Sequence, residues 1–187
     1  MSSEVIELMC KRVSCPRLES PAPSSDILDK VFQAGLRAPD HMLLRPWRYL
    51  IVQGDARGRL GELFCDAAIS DSTDLTEAQR EKYRAMPLRA PMLIIGIAEN
   101  QVHKKVPVEE QIVSCGVGMG YMLLALQSEG FGGMWRTGPM AKHSVVKQGL
   151  GVQSHETLVG FLYVGTPKGE LKPLPELKTS NFFHEWN

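Results

Sequence analysis

Two short segments gather side chains able to hold an anion and a flat ring: Arg37-Ala-Pro-Asp-His-Met-Leu-Leu-Arg-Pro-Trp47 and Gly130-Phe-Gly-Gly-Met-Trp-Arg-Thr-Gly138. Each sets arginine beside an aromatic or imidazole ring, and proline or glycine forces a loop next to an apolar strand. A guanidinium fork pairs with phosphate or carboxylate oxygens. His41 can donate to a ring carbonyl or a phosphate oxygen, Trp135 offers a flat face, Arg136 a cation and Thr137 a hydroxyl. A loop histidine is more often simply solvated, so His41 gains weight from its neighbours rather than by itself. A third segment, Arg12-Val13-Ser14, pairs a guanidinium with a hydroxyl suited to a phosphate or a ribityl chain. Alone, it reads as a solvated arginine and a serine bonded to local backbone. The combined chemistry suits a planar, anionic cofactor better than a metal or a nucleophilic triad.

Other site patterns are missing. There is no G-x-S-x-G elbow, H-E-x-x-H, P-loop or ligand-spaced His/Cys cluster. Gly116-Val-Gly-Met-Gly120 is Gly-x-Gly-x-Gly, no strand leads into it, and Glu109 and Glu110 before it would repel a pyrophosphate. Each glycine inside a helix costs roughly 1 kcal/mol relative to alanine. The expected return is close approach of another backbone at Gly116 and Gly120, within the chain or across a dimer axis. His103, His143, His155 and His184 are scattered and carry no site.

The elements that must position these side chains follow from the pattern. The 187 residues suffice for one domain, 1–187, with its own core. The 21 basic residues balance 21 acidic ones, which favours neither nucleic acid nor a membrane surface as partner. The four cysteines, Cys10, Cys15, Cys65 and Cys115, match neither a disulfide framework nor a zinc knuckle and fit a reducing compartment. The start Met1-Ser-Ser-Glu-Val-Ile-Glu7 lacks a secretory pattern, and the apolar run Ile112–Leu126 is broken by three glycines and a serine. The expectation is a soluble, cytoplasmic protein.

Periodicity predicts helices over 4–11, from Ser24 or Ser25 to Pro39, over 56–69, 74–86, 108–128 and 142–150. Strands are expected at 47–52, 91–98, 134–136 and 157–164, the second covered on both faces because it is almost wholly apolar. Residues 168–187 read as an extended arm ending in Phe182-Phe183-His184-Glu185-Trp186 that packs on something, a second subunit included. Strands and helices mix without strict alternation, so the fold class is α+β.

The segments Lys11–Ser14, Arg37–His41, Arg45–Trp47, Lys105–Pro107, Gly130–Gly138 and Val159–Gly165 also resemble, in order and spacing, the flavin-dependent nitroreductase family, in particular its short bacterial subgroup. The likeness spans about residues 4–167. It implies a nitroreductase-like α+β fold, with a central mostly antiparallel sheet flanked by helices. It further implies an obligate homodimer with one FMN per subunit at the interface, and NADH or NADPH as hydride donor. By position, Arg12, Val13, Ser14, Arg37, His41, Trp135, Arg136 and Thr137 would contact FMN, and the two subunits would share each site. A dinucleotide contact is implied at Ala125, Leu126, Gln127, Ser128, Glu129 and Gly130, although Glu129 and a helix C-terminus both disfavour phosphate. Val13 stands where many larger relatives have a second arginine, Arg45 where glutamine is usual. The tail lacks their basic pair, for which Lys172 and Lys178 are the substitutes at hand.

The resulting expectation is an NAD(P)H-dependent flavin oxidoreductase that reduces a nitroaromatic, quinone or similar small acceptor by a ping-pong route. No side chain is needed as a nucleophile, and none is named as catalytic. The rivals are a flavoenzyme of the same fold with another reaction (ene reduction, dehalogenation or oxygen-dependent chemistry) and a non-catalytic flavin-binding dimer.

Overall fold

The computed structural model describes residues 3–187; Met1 and Ser2, where the reading of a missing secretory pattern begins, lie outside the described residues. In chain order the elements are α1 (Glu4–Lys11), β1 (Leu18–Glu19), α2 (Ser25–Gly35), β2 (Arg48–Gln53), α3 (Ala56–Asp71) and α4 (Glu77–Arg84). There follow β3 (Met92–Glu99), α5 (Val108–Ser128), β4 (Gly132–Arg136), α6 (Ser144–Gly149) and β5 (Glu156–Pro167). The fold is α+β as expected. Its antiparallel sheet has the order β1-β5-β3-β2, with β4 on the flank of β5.

The apolar run read as a doubly covered strand is β3, buried from Met92 to Ala98. Its side chains alternate between two cores, as period-two geometry requires. Leu93, Ile95 and Ile97 face α3 and α6, where Phe64 meets Phe161 edge-on with ring centroids 5.3 Å apart. Met92 and Ile94 face α2 and α5 together with Met119, Met122 and Leu126. Trp47 is buried beside Ala38 and Cys115, so it packs in the interior ahead of β2.

Pairing of β3 with β5 slips between Gly96 and Ile97: Gly96 faces Gly160, whereas Ile97 faces Leu158. Both glycines are required by space. A Cβ on Gly96 would run into the Met119 sulfur, and one on Gly160 into the indole nitrogen of Trp135. The bulge thus opens the sheet where α5 and β4 press on it.

Helix packing differs from the expectation in one detail. The glycine that lets α5 meet α2 is Gly118, whose Cβ would strike the Tyr49 hydroxyl and lie 3.0 Å from the Gly35 carbonyl. A Cβ at Gly116 would touch Trp135 at 3.3 Å, and Gly120 has no described neighbour within 4 Å. The α2 start also differs: Ser24 takes the cap position, but its hydroxyl makes no capping bond. The two-residue β1 was not foreseen. It exists because the end of β5 supplies its partners, Thr166 and Pro167.

The sheet ends differently on its two sides. Along β4, the Cys15 N–H donates to the Gly133 carbonyl at 3.0 Å, so the N-terminal loop covers that edge. Beyond β2 no described strand follows. Residues 168–187 are exposed throughout, with a single 3-10 turn at Thr179–Asn181.

Candidate functional site

That Cys15–Gly133 hydrogen bond joins two segments 118 residues apart, because it lays Arg12-Val13-Ser14 alongside β4. Among the cavities around the junction, three have the size of a small-molecule site. One of about 470 Å³ is lined by Arg12, Val13, Ser14, Met134 and Lys172. One of about 620 Å³ lies beyond Met134 and takes in Trp135, Arg136, Thr137, Phe161 and Tyr163. The third, about 580 Å³, lies on the α5 side between Arg12, Ser14, Gly120, Tyr121 and Trp135. Met134 borders the first two, so they form one trough along β4, of a size usual for small-molecule sites.

Successive β4 side chains leave opposite faces of the sheet. Trp135 turns toward α5, wedged between Gly116 and Gly160. Arg136 turns the other way, its guanidinium 5.6 Å from the centre of the Tyr163 ring. The Trp135 indole N–H and the Arg136 Nε–H are both buried without a hydrogen-bond partner. Orphaned buried donors are rare in folded proteins and favour an acceptor brought from outside. Arg12, Arg37 and Arg136 form no ion pair among the described residues. Glycine at 138 is set by backbone, since its φ of 62° is left-handed and lets the chain turn sharply after Thr137.

Burial pushes the Cys15 thiol up, although the Gly133 hydrogen bond and the Arg12 charge oppose it. Burial also raises the Tyr163 phenol, against Arg136 and Arg89. Both groups therefore stay neutral at physiological pH, and the positive charge around the trough is not offset by thiolate or phenolate.

Arg37 and His41 stand elsewhere in the protomer. Arg37 is exposed two residues past the buried end of α2 at Gly35, and His41 Nδ1 lies 2.8 Å from Glu110 Oε2 near the start of α5. Glu110 precedes Gly116, which touches Trp135, by six residues, or about 9 Å along a helix axis. The loop is held by Asp40, which points inward rather than being presented with His41. Its carboxylate is 2 % exposed and accepts from the Leu44 and Arg45 N–H groups at 3.1 and 2.8 Å and from Arg45 Nη1 at 3.0 Å. Met42, Leu43 and Arg45 take left-handed φ of 61°, 56° and 52°, a strain that residues of this kind adopt only under constraint.

The segment 125–130 lies at the end of α5, where Gln127 and Gly130 line a smaller cavity of about 180 Å³ with Arg12 and Val13, and it does not line the trough itself. Leu126 is fully buried, Gln127 donates to the Leu8 carbonyl at 3.2 Å and the Ser128 hydroxyl to the Ala125 carbonyl at 2.8 Å. Glu129 pairs with Lys30 at 3.4 Å, and Gly130 has a left-handed φ of 82°. Ala125 packs against the α2–α5 core. Sequence reasoning missed Met134, Tyr163 and Arg89, which reach the trough through β4, β5 and the turn after α4. Met134 lies within the Gly130–Gly138 segment and Tyr163 within Val159–Gly165, but neither was singled out there, and Arg89 lies in no segment named. Lys172 was named as a phosphate substitute and lines the same cavity as Arg12 and Ser14. Lys178 is not among the residues lining it.

Orphaned donors, unpaired guanidiniums and a long trough fit an elongated ligand with an anionic end and a polar flat ring, which is the chemistry of FMN.

Comparison with known proteins agrees on family. A model described as the Nitroreductase family matches residues 10–166. "Putative NAD(P)H nitroreductase YdjA" of Escherichia coli K12 is 36% identical over 165 residues, covering 88% of this chain and 89% of that protein. Among solved structures, a nitroreductase-like family protein from Bacillus cereus superposes with a TM-score of 0.83 at 18% identity, covering 100% of this chain and 97% of the other. Oxidized iodotyrosine deiodinase bound to FMN and 3-iodo-L-tyrosine superposes with a TM-score of 0.72 at 22% identity, covering 98% of each chain. At such identities the structural matches speak to the fold.

Proposed function

The chain belongs to the nitroreductase family, and on that premise we propose that it is an FMN-dependent NAD(P)H oxidoreductase acting on a nitroaromatic, quinone or similar small acceptor. One observation carries the reading. The Arg12–Ser14 loop and β4 meet along a continuous trough that pairs a cationic end with orphaned donors. Held there by this loop and β4, FMN would supply two-electron chemistry between NADH or NADPH and the acceptor.

Arg12, Ser14 and Lys172 hold the phosphate end, and the backbone at Val13 is the remaining contact of that loop. Arg136 and Thr137 orient the ring edge, and their fixed donors favour negative charge there without transferring a proton. Trp135 fixes β4 from behind by filling the gap over Gly160. Arg37 and His41 reach the cofactor of a second copy, since neither lines the trough of its own protomer. The assembly is a homodimer, and the half-buried face around Gly120 and the exposed arm 168–187 supply its contacts. The dinucleotide approaches the open side of the trough; residues 125–130 have their polar side chains engaged and contribute backbone alone.

An absorbance spectrum of the purified protein tests this. The expected result is a flavin spectrum, intrinsic or gained on adding FMN, that bleaches anaerobically with NADH or NADPH. A preparation that never turns yellow refutes it. Reoxidation of the bleached protein by a nitroaromatic, a quinone, a halophenol or oxygen then ranks the acceptors. Fastest reoxidation by the halophenol would favour reductive dehalogenation, the reading to which the deiodinase likeness lends support.

A further inference from the structure

The wall of the 620 Å³ cavity that faces β4 carries charge that nothing among the described residues answers. Arg89, on the turn Pro87–Arg89 after α4, lines this cavity and is exposed. Its side chain has no ion pair or hydrogen bond among the described residues. Across the cavity Arg136 lies over Tyr163 with its Nε buried and unpartnered. Both guanidiniums line this cavity together with Tyr163. The half-buried Tyr83 supplies flat apolar surface, and the buried Phe64 and Phe161 underlie the cavity. The one carboxylate on the lining is Asp71, and it is engaged with His143 Nε2 at 3.2 Å. His143 Nδ1 accepts the Val145 N–H, which leaves its proton on Nε2 to face Asp71.

A cavity of this kind discriminates by charge. Its aromatic walls take a ring, and a guanidinium without a counter-ion gains most from an oxyanion held in a forked, charge-assisted pair. The cofactor's own anion does not fill that need, because its phosphate has Arg12 and Lys172 in the neighbouring cavity. We propose that the α4 side of this cavity, at Arg89, is a subsite for the carboxylate of an aromatic acid, with the ring lodged between Tyr83 and Phe161. The inference rests on the flavin reading only in making that acid the electron acceptor. Binding of the acid does not depend on it.

Calorimetric titration of the purified protein with 4-chlorobenzoate and with 4-chlorobenzamide, at low and moderate salt, tests the subsite. The acid is expected to bind roughly tenfold or more tightly than the amide, the size of effect typical of a charge-assisted hydrogen bond. Arg89→Met should remove most of that preference and Arg89→Lys retain part of it. Equal affinities, or a preference that survives Arg89→Met, would overturn the proposal. Colour is read separately. A colourless protein with an Arg89-dependent preference sinks the flavin reading and keeps the subsite. A yellow protein that bleaches with NAD(P)H but treats acid and amide alike does the reverse.

Discussion

Arg48 and Glu156 form a two-pronged, largely buried ion pair, with Nε–Oε1 and Nη2–Oε2 at 2.6 and 2.7 Å and the carboxylate 3 % exposed. Gln153 N–H adds a third bond to Oε2 at 2.7 Å. The Arg48 fork holds the Glu156 carboxyl below its usual range despite burial. Between that lowered value and the unfolded carboxyl near 4.3, the unfolded chain binds more protons than the native one. Stability from this pair is therefore complete above that window and lost as pH falls through the folded value. Glu156→Gln should cost about 2–3 kcal/mol in urea unfolding at pH 7 and much less near pH 3. Gly160→Ala should cost about 2 kcal/mol by driving a methyl into Trp135, with a changed near-ultraviolet circular dichroism. Arg136→Ala should weaken FMN binding about tenfold in a fluorescence-quenching titration, and unchanged affinity would remove Arg136 from the site.

At the scale of elements, the two glycines of α5 give opposite forecasts. Gly118→Ala must push α5 away from Tyr49 and Gly35 and should lower the melting temperature by several degrees. Gly120→Ala meets no atom of its own chain. In a monomer it should gain up to about 1 kcal/mol of helix propensity. If a second copy approaches there, it should instead raise the dimer dissociation constant in sedimentation. Neither glycine could be ranked from spacing. Period 3.6 gave α1 and α5 with their observed ends, whereas the contact at Gly118 depends on where α2 crosses. The same limit applies to the site. Arg12–Ser14 and Trp135–Thr137 could be picked out by residue type, but their meeting depends on one backbone bond, Cys15 to Gly133. Arg89 gave no signal and Tyr163 none beyond its place in Val159–Gly165, because an arginine after a helix and a tyrosine in a buried strand are commonplace until the fold sets them on one cavity.

At the scale of the molecule, the arm is the open question that a deletion answers. β5 ends at Pro167, and Leu171, Leu174, Leu177, Phe182, Phe183 and Trp186 are all exposed. Removing residues 168–187 should leave the far-ultraviolet spectrum nearly intact. It should lower FMN affinity through loss of Lys172, and shift the protein toward monomer in light scattering. The unmatched flank of the sheet has its own outcome. Arg48-Tyr-Leu-Ile-Val-Gln53 has the composition that templates strand addition, with Ile51 39 % exposed and no described strand beyond it. Agitation or mild heating of concentrated stock should therefore yield thioflavin-positive precipitate seeded from this flank, and Ile51→Lys should lengthen shelf life without touching the chemistry on the opposite side.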